Sequence, residues 1–208
     1  NNPIIAKGIS STTLGTDNFV AGSTAGDSIV SGGNNNTLVG DNAGTAITTG
    51  DGNTAVGYQA LDANTTASSN TAIGTKSLSS NTTGEENTAV GEFALFTNTT
   101  ANFNVAIGQA ALYANTTGSS NTALGQKSLY ANTTASSNTA VGRSALGATT
   151  TGAENTAVGS TALDANTTGT RNDALGSVAL SANTTGSHNT AIGGQSLAAN
   201  TTASNNVA

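Results

Sequence analysis

Asparagine recurs with a 17-residue period along most of this chain, from Asn53 to Asn206. The first full unit, residues 53–69, reads NTAVGYQALDANTTASS, and the second, residues 70–86, reads NTAIGTKSLSSNTTGEE. Self-similarity at a fixed period is the sequence signature of a solenoid, in which each repeat forms one coil and packs on its neighbours. The repeat therefore decides the fold before any single residue does.

We name each position by its number in the first unit, so column 57 is Gly57 with its equivalents at 17-residue intervals. Nine complete units fill residues 53–205, and a partial unit follows at 206–208. An earlier unit at 36–52 keeps the spacing but lacks the leucine of column 61, and NFVAG at 18–22 is a degenerate relative one residue out of step. We therefore predict an N-terminal cap or junction over 1–35 and a solenoid over 36–208.

The composition favours stacked β-structure over helix or disorder. Hydrophobic residues make up 35% of the chain and charged residues only 8%, with one proline, whereas disordered chains usually combine low hydrophobicity with high charge or abundant proline. Asn, Thr and Gly fill between six and nine of the 17 positions in each full unit, and they are weak helix formers. The sequence predicts an all-β fold: a parallel β-solenoid (β-roll) of 17-residue coils with two short strands per coil, near columns 54–57 and 60–64.

The alternation of side chains along a strand then predicts which columns face inward. If the chain turns at columns 58 and 59, columns 56 and 61 lie equally far from the turn and face each other inside the coil. We therefore predict a core of Val56, Leu61, Ile73, Leu78, Val90 and Leu95, with their equivalents. The outer face of the first strand is then uniformly small, which predicts a subunit interface at Ala55, Gly57, Ala72 and Gly74.

The motifs NTAVG, NTAIG and NTALG resemble the head repeats of trimeric autotransporter adhesins, and the whole unit is similar to repeats of phage tail-fibre and bacterial surface proteins. The resemblance covers about residues 36–208. It implies a trimeric parallel β-roll that mediates attachment, with an extracellular location on a virion or bacterial cell surface. The 17-residue coil is longer than the usual head repeat, and we expect the extra residues in the turn that follows NTT.

Three groups of residues are candidates for recognition or modification. Phe96, Tyr113 and Tyr130 share column 62 in consecutive units and predict an outward aromatic ladder that could bind a host receptor or surface glycan, with Phe93 and Phe103 nearby. The asparagines of column 53 predict a structural ladder of side-chain amides. The recurrent NTT of column 64 matches the N-glycosylation pattern, although a repeated turn motif produces the same match without any sugar.

Charge and residue types weigh against several other functions. A net charge of −6 leaves no basic patch for nucleic acid, and no apolar run approaches the roughly 20 residues of a membrane span. Cysteine is absent, His188 is the single histidine, and no set of carboxylates has metal-ligand spacing, so we expect no cofactor and no enzyme. The leading hypothesis is a structural, homo-oligomeric fibre or adhesin segment. The alternatives are an ice-binding or carbohydrate-binding solenoid.

Overall fold

The computed structural model describes residues 15–208, which form a single parallel β-solenoid. Eleven strands of three residues each follow one another in one sheet, in the order in which they occur in the chain. The strands are β1 (Phe19–Ala21), β2 (Thr37–Val39), β3 (Thr54–Val56), β4 (Thr71–Ile73), β5 (Thr88–Val90), β6 (Val105–Ile107), β7 (Thr122–Leu124), β8 (Thr139–Val141), β9 (Thr156–Val158), β10 (Asp173–Leu175) and β11 (Thr190–Ile192). The predicted all-β parallel solenoid is confirmed.

The register of the sheet follows the repeat. Thr54 pairs with Thr71 and Ala55 with Ala72, so each strand lies beside its equivalent in the next coil. Between β1 and β2 the paired residues are 18 positions apart rather than 17, because Phe19 pairs with Thr37. The coil that begins with NFVAG therefore has one additional residue, as the offset of this segment in the sequence predicts. The described part of the predicted cap, residues 15–35, continues the same solenoid, and the rest of that cap, residues 1–14, lies outside the described residues.

Each described coil contains one strand, and the predicted second strand at columns 60–64 is wrong. Gln59 and Leu61 have φ angles of 54° and 55°, the left-handed region, which a strand does not use. The Ala60 N–H donates to the Gly57 carbonyl at 3.3 Å and the Asn64 N–H to the Leu61 carbonyl at 3.4 Å, so two tight turns replace the strand. Backbone bonds to the next coil persist through these turns, as in the 3.0 Å bond from the Leu61 N–H to the Ser77 carbonyl.

The turns decide which side chains enter the core. The leucines of column 61 are fully buried, so Leu61, Leu78 and Leu95 lie in the core as predicted. The prediction for column 56 is wrong. In β3–β11 the buried middle residue is the alanine of column 55, and its two neighbours point outward. The misplaced residues are Val56, Ile73 and Val90, of which Ile73 is 39% exposed.

The predicted subunit interface on small residues is wrong for its alanines, whose side chains point into the coil. Ala55 and Ala72 are 0% exposed within one chain, so their side chains cannot reach a partner. Gly57 has a φ of 139°, and a Cβ placed on it would lie 2.6 Å from the Gly74 carbonyl oxygen. Gly74 repeats this arrangement against the following coil, so columns 55 and 57 are small because coil packs closely on coil.

Two ladders of buried asparagines run along the interior. In column 53, the Asn53 backbone N–H donates to Asn36 Oδ1 at 2.9 Å, and the Asn53 amide donates to the same oxygen at 3.1 Å and to the Ala67 carbonyl at 3.0 Å. The backbone-to-Oδ1 bonds continue from Asn18 to Asn206 through one asparagine in every coil, which confirms the predicted ladder.

The second ladder occupies column 64. The Asn81 amide donates to Asn64 Oδ1 at 3.3 Å and to the Gly84 carbonyl at 2.8 Å, so each amide bonds both the preceding coil and its own turn. Its members are buried and close the turn that follows NTT. The two ladders meet at column 67, where the Ala67 carbonyl accepts from both Asn53 and Asn64.

The N-terminal coils fill the same interior with different residues. In the unit at 36–52, Gly44 takes the place of the column 61 leucine, while Leu38 replaces the alanine of column 55 and Ile47 the asparagine of column 64. Leu38 and Ile47 are fully buried, and a Cβ on Gly44 would lie 2.8 Å from each of them. The lost leucine is therefore compensated by two aliphatic side chains that occupy its space.

Candidate functional surfaces

The outward side of the β-sheet is a regular surface that runs the length of the described chain. We call it the sheet face and define it as columns 54 and 56 of β2–β11. Column 56 is aliphatic in every coil and half-buried or exposed, reaching 43% exposure at Leu124 and 49% at Leu175. Its members are Val39, Val56, Ile73, Val90, Ile107, Leu124, Val141, Val158, Leu175 and Ile192.

Column 54 lies beside this aliphatic row and is threonine except at Val105 and Asp173. Among the described strands, Asp173 is the only charged residue. The sheet face is therefore an almost uncharged strip of threonine and aliphatic side chains, repeated at the strand spacing of about 4.8 Å. Such a strip is a candidate contact surface, because monomeric proteins rarely leave long apolar patches uncovered.

The predicted aromatic ladder of column 62 forms. The rings of Phe96 and Tyr113 stack with centroids 5.3 Å apart, and those of Tyr113 and Tyr130 stack at 5.2 Å. Phe93 meets Phe96 edge-on at 5.5 Å. Lys127 Nζ lies over the Tyr130 ring, 5.7 Å from its centroid.

This geometry limits what the aromatic ladder offers a ligand. Both faces of Tyr113 are covered by neighbouring rings, and Tyr130 has Tyr113 on one side and a lysine over its ring. A sugar that stacks on an aromatic residue needs a free ring face, and the ladder presents mainly ring edges. Phe103 is 54% exposed but takes part in none of the ring pairs of the described residues.

The NTT asparagines are not free to carry a sugar in the folded chain. Asn64 and its equivalents at Asn81 and Asn98 are 0% exposed, and each donates its amide nitrogen to a backbone carbonyl of its own turn. An attached glycan would have to leave from that buried nitrogen. The pattern is therefore a turn motif, and the glycosylation alternative is incompatible with this packing.

Sequence reasoning missed a third polar ladder, in column 68. The Asn102 N–H donates to Ser119 Oγ at 3.2 Å, and the Ser119 N–H donates to Ser136 Oγ at 3.0 Å. The sequence contained a signal for this ladder, because most residues of column 68 have a short side chain with an oxygen that can accept a hydrogen bond. The ladder is interrupted where Ala153 supplies none.

Titratable groups are dispersed rather than gathered into a site. Arg171 and Glu154 form an exposed ion pair at 2.7 Å, and this hydrogen bond lowers the pKa of the Glu154 carboxyl. Partial burial raises the pKa of Asp164, which stands in column 62 of its coil. Within residues 15–208, no three histidine or carboxylate side chains converge as metal ligands would, and no helix has the length and apolarity of a membrane span.

No known protein family, curated protein or solved structure is detectably similar to the chain.

Proposed function

We propose that this chain is a shaft segment of an extracellular fibre or adhesin, on a virion or a bacterial cell surface, that supports attachment to a host or surface. The observation that carries the proposal is the column 53 ladder, which continues from Asn18 to Asn206 beside a single eleven-stranded sheet. Ten strand-to-strand steps of about 4.8 Å give a rod roughly 50 Å long. A rod that repeats one coil is suited to spanning distance, and the proposal assigns it no catalytic role.

A homo-oligomer is part of this proposal, and the adhesin heads that the repeat resembles imply a trimer. Support comes from the aliphatic row of column 56, which a lone chain leaves in contact with water along its whole length. Outside the sheet face and the aromatic side chains, the surface is mostly polar. It carries the remaining charges of the described chain, all of which lie outside the strands.

Small-angle X-ray scattering and negative-stain electron microscopy of the purified chain test the shaft. We expect particles with a constant cross-section and a long dimension of about 50 Å for residues 15–208, set by the strand spacing. A compact particle without a rod-like cross-section, or a chain without β-structure by circular dichroism, would contradict the proposal.

Carbohydrate binding at the aromatic ladder is a second candidate function, supported by three exposed or half-buried rings in one line. A triple change of Phe96, Tyr113 and Tyr130 to serine should abolish glycan binding on an array if the ladder is a site. Tyr58→Ser is the matched control, because Tyr58 is 46% exposed and makes no ring pair in the described chain. Equal array signals from both variants and the unmodified chain would reject a glycan site here.

Ice binding is a further candidate, supported by the regular threonine row of column 54 on the sheet face. The adjacent threonines of columns 65 and 66 do not provide such a plane, since Thr65-type hydroxyls bond the next coil, as in the 3.0 Å bond from Thr82 Oγ1 to the Thr99 carbonyl. Val105 and Asp173 interrupt the row of column 54. A thermal hysteresis assay with the purified chain decides this candidate, and absence of activity rejects it.

A further inference from the structure

We infer that a second copy of this chain docks on the sheet face, so that the aliphatic rows of column 56 meet along the fibre. This inference deepens the proposed function, on which it rests, by naming the surface through which the copies associate. It replaces the interface on columns 55 and 57, whose alanines are buried inside one chain.

The pattern of substitution within the chain supports a covered sheet face. Column 56 admits Val, Ile and Leu but no polar residue in ten consecutive coils, although its side chains point outward. Other outward columns are far less restricted, since column 58 holds Tyr58, Glu92 and Arg143. A surface position that remains aliphatic throughout is covered by something apolar in the working assembly.

The regular period of the sheet face favours a copy of the same chain as the partner that covers it. The sheet face repeats at the strand spacing of about 4.8 Å, and another copy repeats with the same period, so the two rows can interdigitate over their full length. An irregular globular partner has no matching period. The face also meets itself without repulsion, because Asp173 is its only charged residue and the other charges of the described chain lie outside the strands.

The area is sufficient for such a contact. Ten strand steps of about 4.8 Å and a three-residue strand about 10 Å wide give roughly 500 Å² per copy, or about 1,000 Å² for a pair. That total reaches the lower bound for a specific interface, before any contribution from the side chains that flank the strands. The contact uses the whole length of the described rod, so each added coil adds to it.

Cysteine crosslinking tests the inference directly, because the chain has no cysteine of its own. Ile107→Cys places a thiol on the sheet face, where Ile107 is 37% exposed. Thr117→Cys places one in column 66 of the same coil, at an exposed position outside the sheet. With copper-phenanthroline as oxidant, we expect the first variant to form covalent dimers in most of the protein and the second to remain near background.

Sedimentation of charged variants gives an independent measurement. Ile107→Lys combined with Leu124→Lys should weaken self-association roughly a hundredfold, because like charges then face each other across the contact. Circular dichroism should remain unchanged, since both side chains point outward. A crosslink at Thr117 but not at Ile107 would overturn the inference, as would an unmodified chain that sediments as a monomer at high micromolar concentration.

The outcomes separate this inference from the shaft proposal. A monomeric rod leaves the shaft intact and overturns the docking surface. A chain that is not a rod removes the shaft, whatever its state of association. Crosslinking at Ile107 with loss of association in the double lysine variant supports both the surface and its occupant.

Discussion

Thr149 interrupts the column 64 ladder and leaves a defect that one substitution should repair. It stands where the other full units have asparagine, and it is fully buried. Asn132 in the preceding coil consequently has a buried Oδ1 without a hydrogen-bond donor. On the other side, the Asn166 amide reaches only Thr149 Oγ1 in that coil, at 3.5 Å. We predict that Thr149→Asn stabilises the protein.

The magnitude follows from the bonds that the neighbouring coils make. The amide nitrogen introduced at position 149 can donate to Asn132 Oδ1, just as the Asn132 amide donates to Asn115 Oδ1 at 2.9 Å. The oxygen introduced at position 149 can accept from the Asn166 amide. Leaving a buried acceptor unsatisfied costs about 1–3 kcal/mol, and we expect Thr149→Asn to recover most of it. For a chain of this length each kcal/mol corresponds to a rise in Tm of about 2–4 °C.

Thermal unfolding followed by circular dichroism measures the change, and hydrogen exchange locates it in the coils next to residue 149. Asn98→Thr is the matched control, because it creates the same defect in an intact part of the ladder and should lower Tm by a similar amount. Thr149→Val tests the existing hydroxyl, whose 3.5 Å contact should contribute little. If Thr149→Asn leaves Tm unchanged while Asn98→Thr is tolerated, the buried ladder does not stabilise the fold as argued.

Three further predictions test the packing. In urea titrations, Leu112→Ala should lower the free energy of unfolding by about 2–5 kcal/mol, because the leucine of column 61 is buried. Ile107→Ala should lower it by about 1 kcal/mol or less in the monomer, because column 56 points outward. Similar losses for the two variants would contradict the placement of column 61 inside and column 56 outside. Gly108→Ala should lower the free energy of unfolding by about 2–4 kcal/mol, because Gly108 has a φ of 132° and a Cβ there would lie 2.7 Å from the backbone of the next coil. Gly147 is the control. Its φ lies outside the left-handed region, so Gly147→Ala should be near neutral in the same titration. Asp164→Asn should raise stability at pH 7. Folding raises the pKa of the Asp164 carboxyl, so its charged form destabilises the fold at pH values above that pKa. In unfolding curves, the advantage of the variant should shrink as the pH falls through the folded pKa towards the usual aspartate value of 3.8.

The repeat period was sufficient to predict the architecture and half of the core. The 17-residue spacing fixes which residues stack on one another, so the Leu61 column had to form a continuous row whatever the cross-section. The same spacing identified the column 53 asparagines as a ladder, since identical amides one coil apart can bond in series. These predictions depend only on what lies above and below each residue.

The inward or outward direction of a residue depends on the local backbone, and there the prediction failed. Columns 56 and 61 lie equally far from the turn at columns 58 and 59. Equal distance makes both side chains face the interior only if the turn is flanked by two strands. The left-handed φ angles of Gln59 and Leu61 rotate the chain between them, so Leu61 points inward while Val56 does not. Non-glycine residues rarely adopt this conformation, and no residue type in column 59 announces it.

The variation within each column nevertheless indicates which column points inward. Ala55 has only alanine as its equivalent in the nine units, whereas Val56 is replaced by Ile or Leu. A close-packed interior with another coil about 4.8 Å away admits one side-chain size, because one added methylene there forces strain. An outward position accepts any aliphatic residue. The strictness of column 55 was therefore the mark of the core rather than of a subunit contact.

The solenoid buries two columns of asparagine beside its alanines and leucines and leaves an aliphatic row outside. Each interior side chain packs against its own equivalents above and below, so a polar column can also be buried where its members hydrogen-bond one another. An asparagine meets this requirement because its oxygen accepts from the following coil while its nitrogen donates, as at Asn53. Column 56 differs from these interior columns, because its side chains point outward. Ile107 and Leu124 remain 37% and 43% exposed, so the stacked coils cover them only in part. The second copy proposed above, a rod with the same period, would cover that row along its entire length.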